Sequence, residues 1–335
     1  MGYLVHGMID FYSEDFWNNL MVIIFFIVPF IFMTIALPYV IRKLRLNGHV
    51  VKDMYKKDLP LIPTQGGLAI LLIAIFSLSI VTLFYGKMVT PINYTIIVVV
   101  VLFALFGLLD DLVNIGRPVK LVLLYYCSYP LIPFITSTVF LCPFIGHVDL
   151  SIIYLQLIIP VYVPVVANLV NMHSGFNGLA SGLSLIILLS LLLKTYMNGN
   201  ISNALFIVCL AGALAGYFLF ERYPSRIFWG NIGALSVGAA IGALIVTQGF
   251  IISGFIMLIP HTINFLQYVY WRLKKSKYPI AKFGKIREDG SLEVPNPLTL
   301  KWVLPYYFHI NEKKATYAMF GLTAIFCIIG LIIPG

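Results

Sequence analysis

The sequence predicts an all-α polytopic membrane protein with about ten transmembrane helices and both termini outside. Three observations carry this. Sixty per cent of the 335 residues are hydrophobic and 10% are charged, against roughly 25% charged in a soluble chain. The apolar residues fall into runs near the ~20-residue length that crosses a bilayer core of ~30 Å. The basic residues segregate to one side once those runs are threaded through a membrane.

Ten apolar spans are read at roughly 20–41, 66–85, 92–109, 120–138, 152–170, 179–195, 203–220, 233–247, 249–269 and 316–334. The break at 248–249 rests on Thr247, Gln248 and Gly249. The segments after spans 1, 3, 5, 7 and 9 share one side. They hold twenty of the 22 Lys and Arg residues, leaving Lys87 and Lys194 opposite. The positive-inside rule makes that richer side cytoplasmic. The first 19 residues carry Asp10, Glu14 and Asp15 and no basic residue, so the first run is expected to stay as a signal-anchor helix. The chain reads as a single integral membrane domain, 1–335. Its one sizeable extramembrane piece is a cytoplasmic loop, 270–315, inserted before the last helix. Asp289-Gly290 inside it signals a small β-hairpin with a type I′ turn. The net charge of +9 is explained by basic cytoplasmic loops and gives no reason to expect nucleic acid. Cys127, Cys142, Cys209 and Cys327 are scattered, with no metal or CxxC spacing, and read as small buried hydrophobes.

The polar residues at cytoplasmic span ends carry the chemistry. Asp110 and Asp111 close the third span. Adjacent carboxylates repel each other and resist desolvation. A metal ion, Lys120 or both should compensate. Helical spacing puts Asp110, Asn114 and roughly Arg117 on one face. A simple wetted helix end is the bland alternative. After the fifth span come Asn168, Asn171, His173, Ser174, Gly175, Asn177 and Gly178, an amide-rich segment of a kind tolerated at membrane depth where it lines a polar cavity. Asn-Gly equally makes an ordinary loop. Gly230 and Gly233 flank Asn231 at a helix start, which suits an anion; a plain turn capped by Asn231 is the alternative. Gly66-Gly67 opens span 2 and permits close approach of a backbone or ligand. Asp53 and Lys56 lie just before it, in a basic stretch that lipid headgroups alone would also explain. No Ser-His-Asp order, Walker loop, HExxH or GxGxxG frame occurs. Oxygen and amide donors without thiol or histidine clusters favour Mg²⁺ or Mn²⁺ over zinc or copper.

Taken in order, FGLLDDLVNIGRPVK, NLVNMHSGFNGLASG and YPSRIFWGN resemble the polyprenyl-phosphate N-acetylhexosamine-1-phosphate transferase superfamily over nearly the whole chain. PSRIFWG and the later NPLTLKWVLPYYFHINEK resemble its dolichyl-phosphate GlcNAc-1-phosphate transferase branch (glycosyltransferase family 4), of archaeal or eukaryotic type. The shorter length suggests an archaeal cell membrane rather than the endoplasmic reticulum. The resemblance implies transfer of a HexNAc-1-phosphate from a UDP-N-acetylhexosamine to a dolichyl or polyprenyl phosphate, with Mg²⁺ as cofactor, at the start of lipid-linked oligosaccharide assembly for protein N-glycosylation. It implies Asp111, Asn171 and Asn231 around the metal. Lys120 would act on the transferred phosphate, and Asp110 would be a base or electrostatic organiser. Asn114 would lie near the pyrophosphate and Asn177 at the uracil. Arg226, Lys275 and Lys277 would hold charged substrate groups beside Gly66 and Gly67. Two positions depart from the pattern. Asn231 stands where the family usually has Asp, which implies weaker metal binding or a metal held more by Asp110, Asp111 and Asn171. Lys275-Ser276-Lys277 replaces an Arg-His-Arg, losing the bidentate fork. Homodimers are familiar in the superfamily, but no motif here shows one. The rival readings are a secondary transporter, disfavoured by one-sided polar clusters and the lack of repeats, and an inactive scaffold, suggested by Asn231.

Overall fold

The computed structural model describes residues 2–113, 117–135, 137–142, 146–274 and 281–333. Among the described residues thirteen helices follow in chain order: α1 (Gly2–Leu46), α2 (Gly67–Tyr85), α3 (Pro91–Val113), α4 (Arg117–Cys127), α5 (Ser151–Ile153), α6 (Ile159–Met172), α7 (Leu179–Met197), α8 (Leu205–Glu221), α9 (Gly230–Thr247), α10 (Ile251–Met257), α11 (Ile259–Leu273), α12 (Leu300–Tyr307) and α13 (Glu312–Ile332). A π turn, Tyr154–Ile158, joins α5 to α6. Among the described residues, eight helical stretches are long and apolar enough to cross a membrane. The chain is therefore an all-α polytopic membrane protein.

Two expected spans differ from plain helices. The run at 120–138 gives α4 and a 3₁₀ turn, Tyr129–Phe134, so its apolar helical part is short, Val122–Phe134. Pro130 and Pro133 explain the stop, since each lacks an N–H for continued α-helix. The run at 249–269 becomes α10 and α11, bent by 64° at Leu258 and counting as a ninth span if taken together. Pro260, in the first turn of α11, relaxes the ladder there.

Helix α9 is the centre of the bundle. Ile232 through Val246 are all buried. A helix apolar all round has no solvent face to keep, and its small residues let neighbours close in. An added Cβ at Gly238 would sit 2.6 Å from Ala167 Cα of α6, and one at Gly107 of α3 would sit 2.8 Å from Asn231 O. Helices α3 and α6 thus flank α9 at backbone contact distance. Because α9 runs opposite to both, their C-terminal ends meet its N-terminal end.

The described residues also form three two-stranded antiparallel pairs: β1 (Val50–Lys52) with β2 (Leu61–Pro63), β3 (Val139–Cys142) with β4 (Gly146–Asp149), and β5 (Lys285–Ile286) with β6 (Leu292–Glu293). The last lies at the Asp289-Gly290 signal, but its turn is not type I′. Gly290 alone there has positive φ, +80°. Its N–H donates to Arg287 O at 3.0 Å. A type I turn followed by a left-handed glycine has this pattern. Asp289 Oδ1 holds it by accepting from Ser291 N and Oγ at 2.9 and 2.7 Å.

Candidate active site

The end of α3, the start of α4, the start of α9 and the 63–67 segment converge. Phe228 N donates to Pro63 O at 2.8 Å. Gly66 N and Gly67 N donate to Phe228 O and Trp229 O, both at 2.9 Å. An added Cβ at Gly67 would meet Gly233 N at 2.2 Å, so the glycine pair lets α2 start against the backbone that begins α9. That contact fixes where Trp229, Gly230 and Asn231 lie.

Onto this platform α3 delivers the two acids. Asp110 Oδ2 accepts from Lys120 Nζ of α4 at 2.9 Å. The same oxygen accepts from Asn231 Nδ2 at 3.4 Å. The Asp111 carboxylate faces the Asn231 main-chain N–H and carboxamide, and its Oδ2 would lie 3.2 Å from a Cβ at Gly230. Gly230 has φ +68°, a conformation that suits glycine. Trp229, not Asn231, is the N-cap of α9, and it makes no side-chain cap bond. The Asp111 carboxylate is set against the positive end of α9. Of the compensating charges expected beside the acids, a metal ion, Lys120 or both, Lys120 is in place. The described part of α3 runs to Val113, so the expected Asp110–Asn114–Arg117 face lies partly outside the described residues. Asn114, Lys275 and Lys277 lie outside the described residues.

Asn171 lies in the last turn of α6, at the same end of the bundle. Its main-chain carbonyl accepts from Ser174 Oγ at 2.8 Å, and its carboxamide has no hydrogen-bond partner among the described residues. The loop that follows is clamped from below. Asn264 of α11 donates to Met172 O at 3.2 Å and accepts from Leu300 N at 3.0 Å. Lys301 Nζ donates to Ser174 O at 2.5 Å. Burial pushes the Lys301 amine down to about 8. His173 is buried and packs edge-on against His261, ring centroids 4.7 Å apart. Its pKa lies well below the ordinary value, first through burial and then through His261 and Lys301, so it is a neutral packing element.

Asn177 sits in a second network. Its Nδ2 donates to Asp53 Oδ2 at 3.1 Å, and its Oδ1 accepts from Ser225 N at 3.0 Å. Its main-chain N–H donates to Glu312 Oε1 at 2.6 Å. Lys56 Nζ bridges Asp53 and Glu312 at 3.2 and 2.5 Å. In this arrangement the Asn177 carboxamide ties loops together, with one hydrogen bond on each end. Arg226 is exposed, its guanidinium 5.1 Å from the Phe220 ring centroid. The structure thus gathers Gly66, Gly67, Asp110, Asp111, Lys120 and Asn231. It gives Asn171 at the same bundle end and Asn177 and Arg226 separate contacts. Glu312, Asn264 and Lys301 were missed by sequence reasoning. Glu312 resembles an ordinary acid in a first helical turn behind its Asn311 cap, and nothing local to Asn264 or Lys301 signals partners across the fold.

The donors present suit a hard cation. No group of three or more His, Cys, Asp or Glu able to hold a metal exists among the described residues. Two carboxylates, with the Asn171 carboxamide at the same end of the bundle, nevertheless suit Mg²⁺, which takes one or two carboxylates and completes its shell with water and substrate phosphate.

Comparison with known proteins gives the family. The profile described as glycosyl transferase family 4 matches residues 93–249, which span α3, α6 and α9. A Saccharolobus solfataricus protein, provisionally named UDP-N-acetylglucosamine–dolichyl-phosphate N-acetylglucosaminephosphotransferase, is 30% identical over 317 residues, covering 92% of this chain and 95% of that one. A Sulfolobus acidocaldarius protein of the same provisional name is 27% identical, covering 91% and 94%. The phospho-N-acetylmuramoyl-pentapeptide-transferase of Caldicellulosiruptor bescii is 27% identical over 338 residues, covering 95% and 97%. With similarity running end to end and the profile falling on the helices that build the site, the chain belongs to glycosyl transferase family 4, within the polyprenyl-phosphate N-acetylhexosamine-1-phosphate transferases.

Proposed function

We propose that the protein transfers GlcNAc-1-phosphate from UDP-GlcNAc to dolichyl phosphate, giving dolichyl-diphosphate-GlcNAc and UMP, at the cytoplasmic face of an archaeal cell membrane. The observation that carries this is the Asp110–Lys120–Asn231–Asp111 constellation, seated where membrane-crossing helices end. An anionic sugar nucleotide reaches such a site from water, while a polyprenyl tail stays in lipid. Relatives named for this reaction support the donor and acceptor.

In the reaction an oxygen of the lipid phosphate attacks the β-phosphorus of the donor. The bond from that phosphorus to the bridging oxygen breaks, and UMP leaves with the electron pair. Phosphoryl transfer needs positioning and charge neutralisation more than covalent help. A phosphate monoester is already mostly ionised at pH 7, so Asp110 has little proton to remove. Its bonds to Lys120 and Asn231 suit an organiser that aims the Lys120 ammonium at the transferred phosphate. Mg²⁺ would be held by Asp111, Asn171 and Asn231, and would supply Lewis-acid neutralisation of pyrophosphate charge. Asn231 must turn its carbonyl oxygen inward to take part, since its amide nitrogen now faces Asp110.

The test uses purified protein with Mg²⁺, dolichyl phosphate and UDP-GlcNAc labelled in the sugar. Label entering the organic phase with matching UMP release, both abolished by Asp111→Asn, is the expected result. Silence with every UDP-sugar tried would overturn the reading and favour an inactive scaffold.

A further inference from the structure

A cavity of about 600 Å³ lies outside the constellation, between the α8–α9 connection and the start of α13. Arg222, Arg226 and Lys313 line it, and no acid does. All three are exposed. None takes part in an ion pair among the described residues, where the pairs are Lys56 with Asp53 and Glu312, and Lys120 with Asp110. The two acids adjacent in sequence, Glu221 and Glu312, are both buried and turned inward, Glu221 to Trp229 N and Glu312 to Lys56 and Asn177. Three cations around one opening are therefore left uncompensated.

The depth of the cavity says what fits. Leu219 lies near the end of a candidate span, Ile201–Glu221, and Tyr317 near the start of another, Glu312–Ile332. Both are exposed, as is Tyr223 on the rim. Cations above and aromatic and apolar side chains below make an interfacial pattern: aromatic rings settle at headgroup level, and Lys and Arg attract anionic lipid.

We propose that this cavity binds the phosphate headgroup of an anionic phospholipid of the surrounding bilayer, with its first acyl carbons against Leu219 and Tyr317. The bound headgroup would brace the reaction site from outside. An added Cβ at Gly178 would lie 2.8 Å from Arg222 Cα, and Ser225 N bonds Asn177, so the segment it grips is packed on the 171–178 loop and leads directly into Trp229–Asn231.

The proposal stands independently of the transferase reading, because its test needs no turnover. Protein in detergent would be titrated with phosphatidylglycerol against phosphatidylcholine, and bound lipid counted by native mass spectrometry. Arg222→Gln and Lys313→Gln should each weaken phosphatidylglycerol retention roughly fivefold, the effect of about one interfacial cation. The double variant should keep the parental melting temperature. Equal retention of phosphatidylglycerol by parent and double variant would overturn the site. Displacement of the lipid by soluble glycerol phosphate at matched concentration would overturn the membrane source in favour of a free phosphate.

Discussion

Replacing Gly67 by alanine tests the claim that backbone contact between α2 and α9 places the site. The new Cβ would lie 2.2 Å from Gly233 N, 2.3 Å from Gly233 Cα and 2.7 Å from Trp229 O. All three are main-chain atoms, so no side-chain rotation relieves them. Reaching an ordinary 3.4 Å contact requires the two helix starts to part by about 1.2 Å. That movement stretches the Gly67 N to Trp229 O hydrogen bond, now 2.9 Å, and carries Gly230 and Asn231 off the two carboxylates. Overpacking of this kind costs about 1–3 kcal/mol. A misplacement of roughly 1 Å in a reacting constellation costs about 100-fold in rate. Gly107→Ala should do less, because its Cβ would meet Asn231 O at 2.8 Å and needs about half the movement. Gly321→Ala in α13 is the control: nothing lies within 4 Å of its Cβ, and alanine favours helix over glycine by about 1 kcal/mol. Melting temperature and labelled-sugar transfer would be measured on all three. The expected order of loss is Gly67→Ala, then Gly107→Ala, with Gly321→Ala unharmed. Parental stability and turnover in Gly67→Ala would refute the reasoning.

Lys120→Met should lower turnover by about 10²–10³-fold, the scale for losing one preorganised charge contact, while Lys120→Arg should recover part of it; equal rates in parent and Met variant would sink the role. Asn231→Asp should lower the Mg²⁺ concentration needed for half-maximal rate and tighten Mn²⁺ binding measured by electron paramagnetic resonance, and an unchanged metal dependence would count against Asn231 as a ligand. Lys301 has a folded pKa of about 8 against an ordinary 10.5, so between those values the unfolded chain holds the extra proton and stability rises with pH. Melting temperatures across that window should climb in the parent relative to Lys301→Met, whereas parallel curves would show that the amine titrates normally.

The helical plan was legible in part, eight or nine of the ten expected spans, because lipid imposes length and composition on each span. The acids were legible because Asp110 and Asp111 stand where a membrane helix can least tolerate them. What the sequence hid were relations between distant segments. A bend at Leu258 depends on how α10 and α11 dock, and Pro260 marks a place where it can occur without requiring it. The type I turn before Gly290 reflects register, since Asp-Gly suits several hairpins. Lys301 to Ser174 spans 127 residues and Lys56 to Glu312 spans 256, and no local pattern encodes either partner.

Asn231 shows how one side chain can change the character of a site without dismantling it. An aspartate there would put three carboxylates around one point, with Lys120 and the start of α9 as the positive terms, and repulsion would favour a bound cation even without substrate. The carboxamide removes one charge and adds a donor, and the structure uses that donor on Asp110, the oxygen that also holds Lys120. The acids are then satisfied by groups of the chain itself: Lys120 and the carboxamide on Asp110, the main-chain N–H of Asn231 before Asp111. Drawing in a divalent cation means turning the carboxamide and giving up its bond to Asp110. Pyrophosphate oxygens can supply the missing negative charge, so metal affinity should depend on the nucleotide more steeply here than in the Asn231→Asp variant. Mn²⁺ titrations with and without UDP separate the cases: a larger nucleotide effect in the parent supports the argument, and equal effects defeat it.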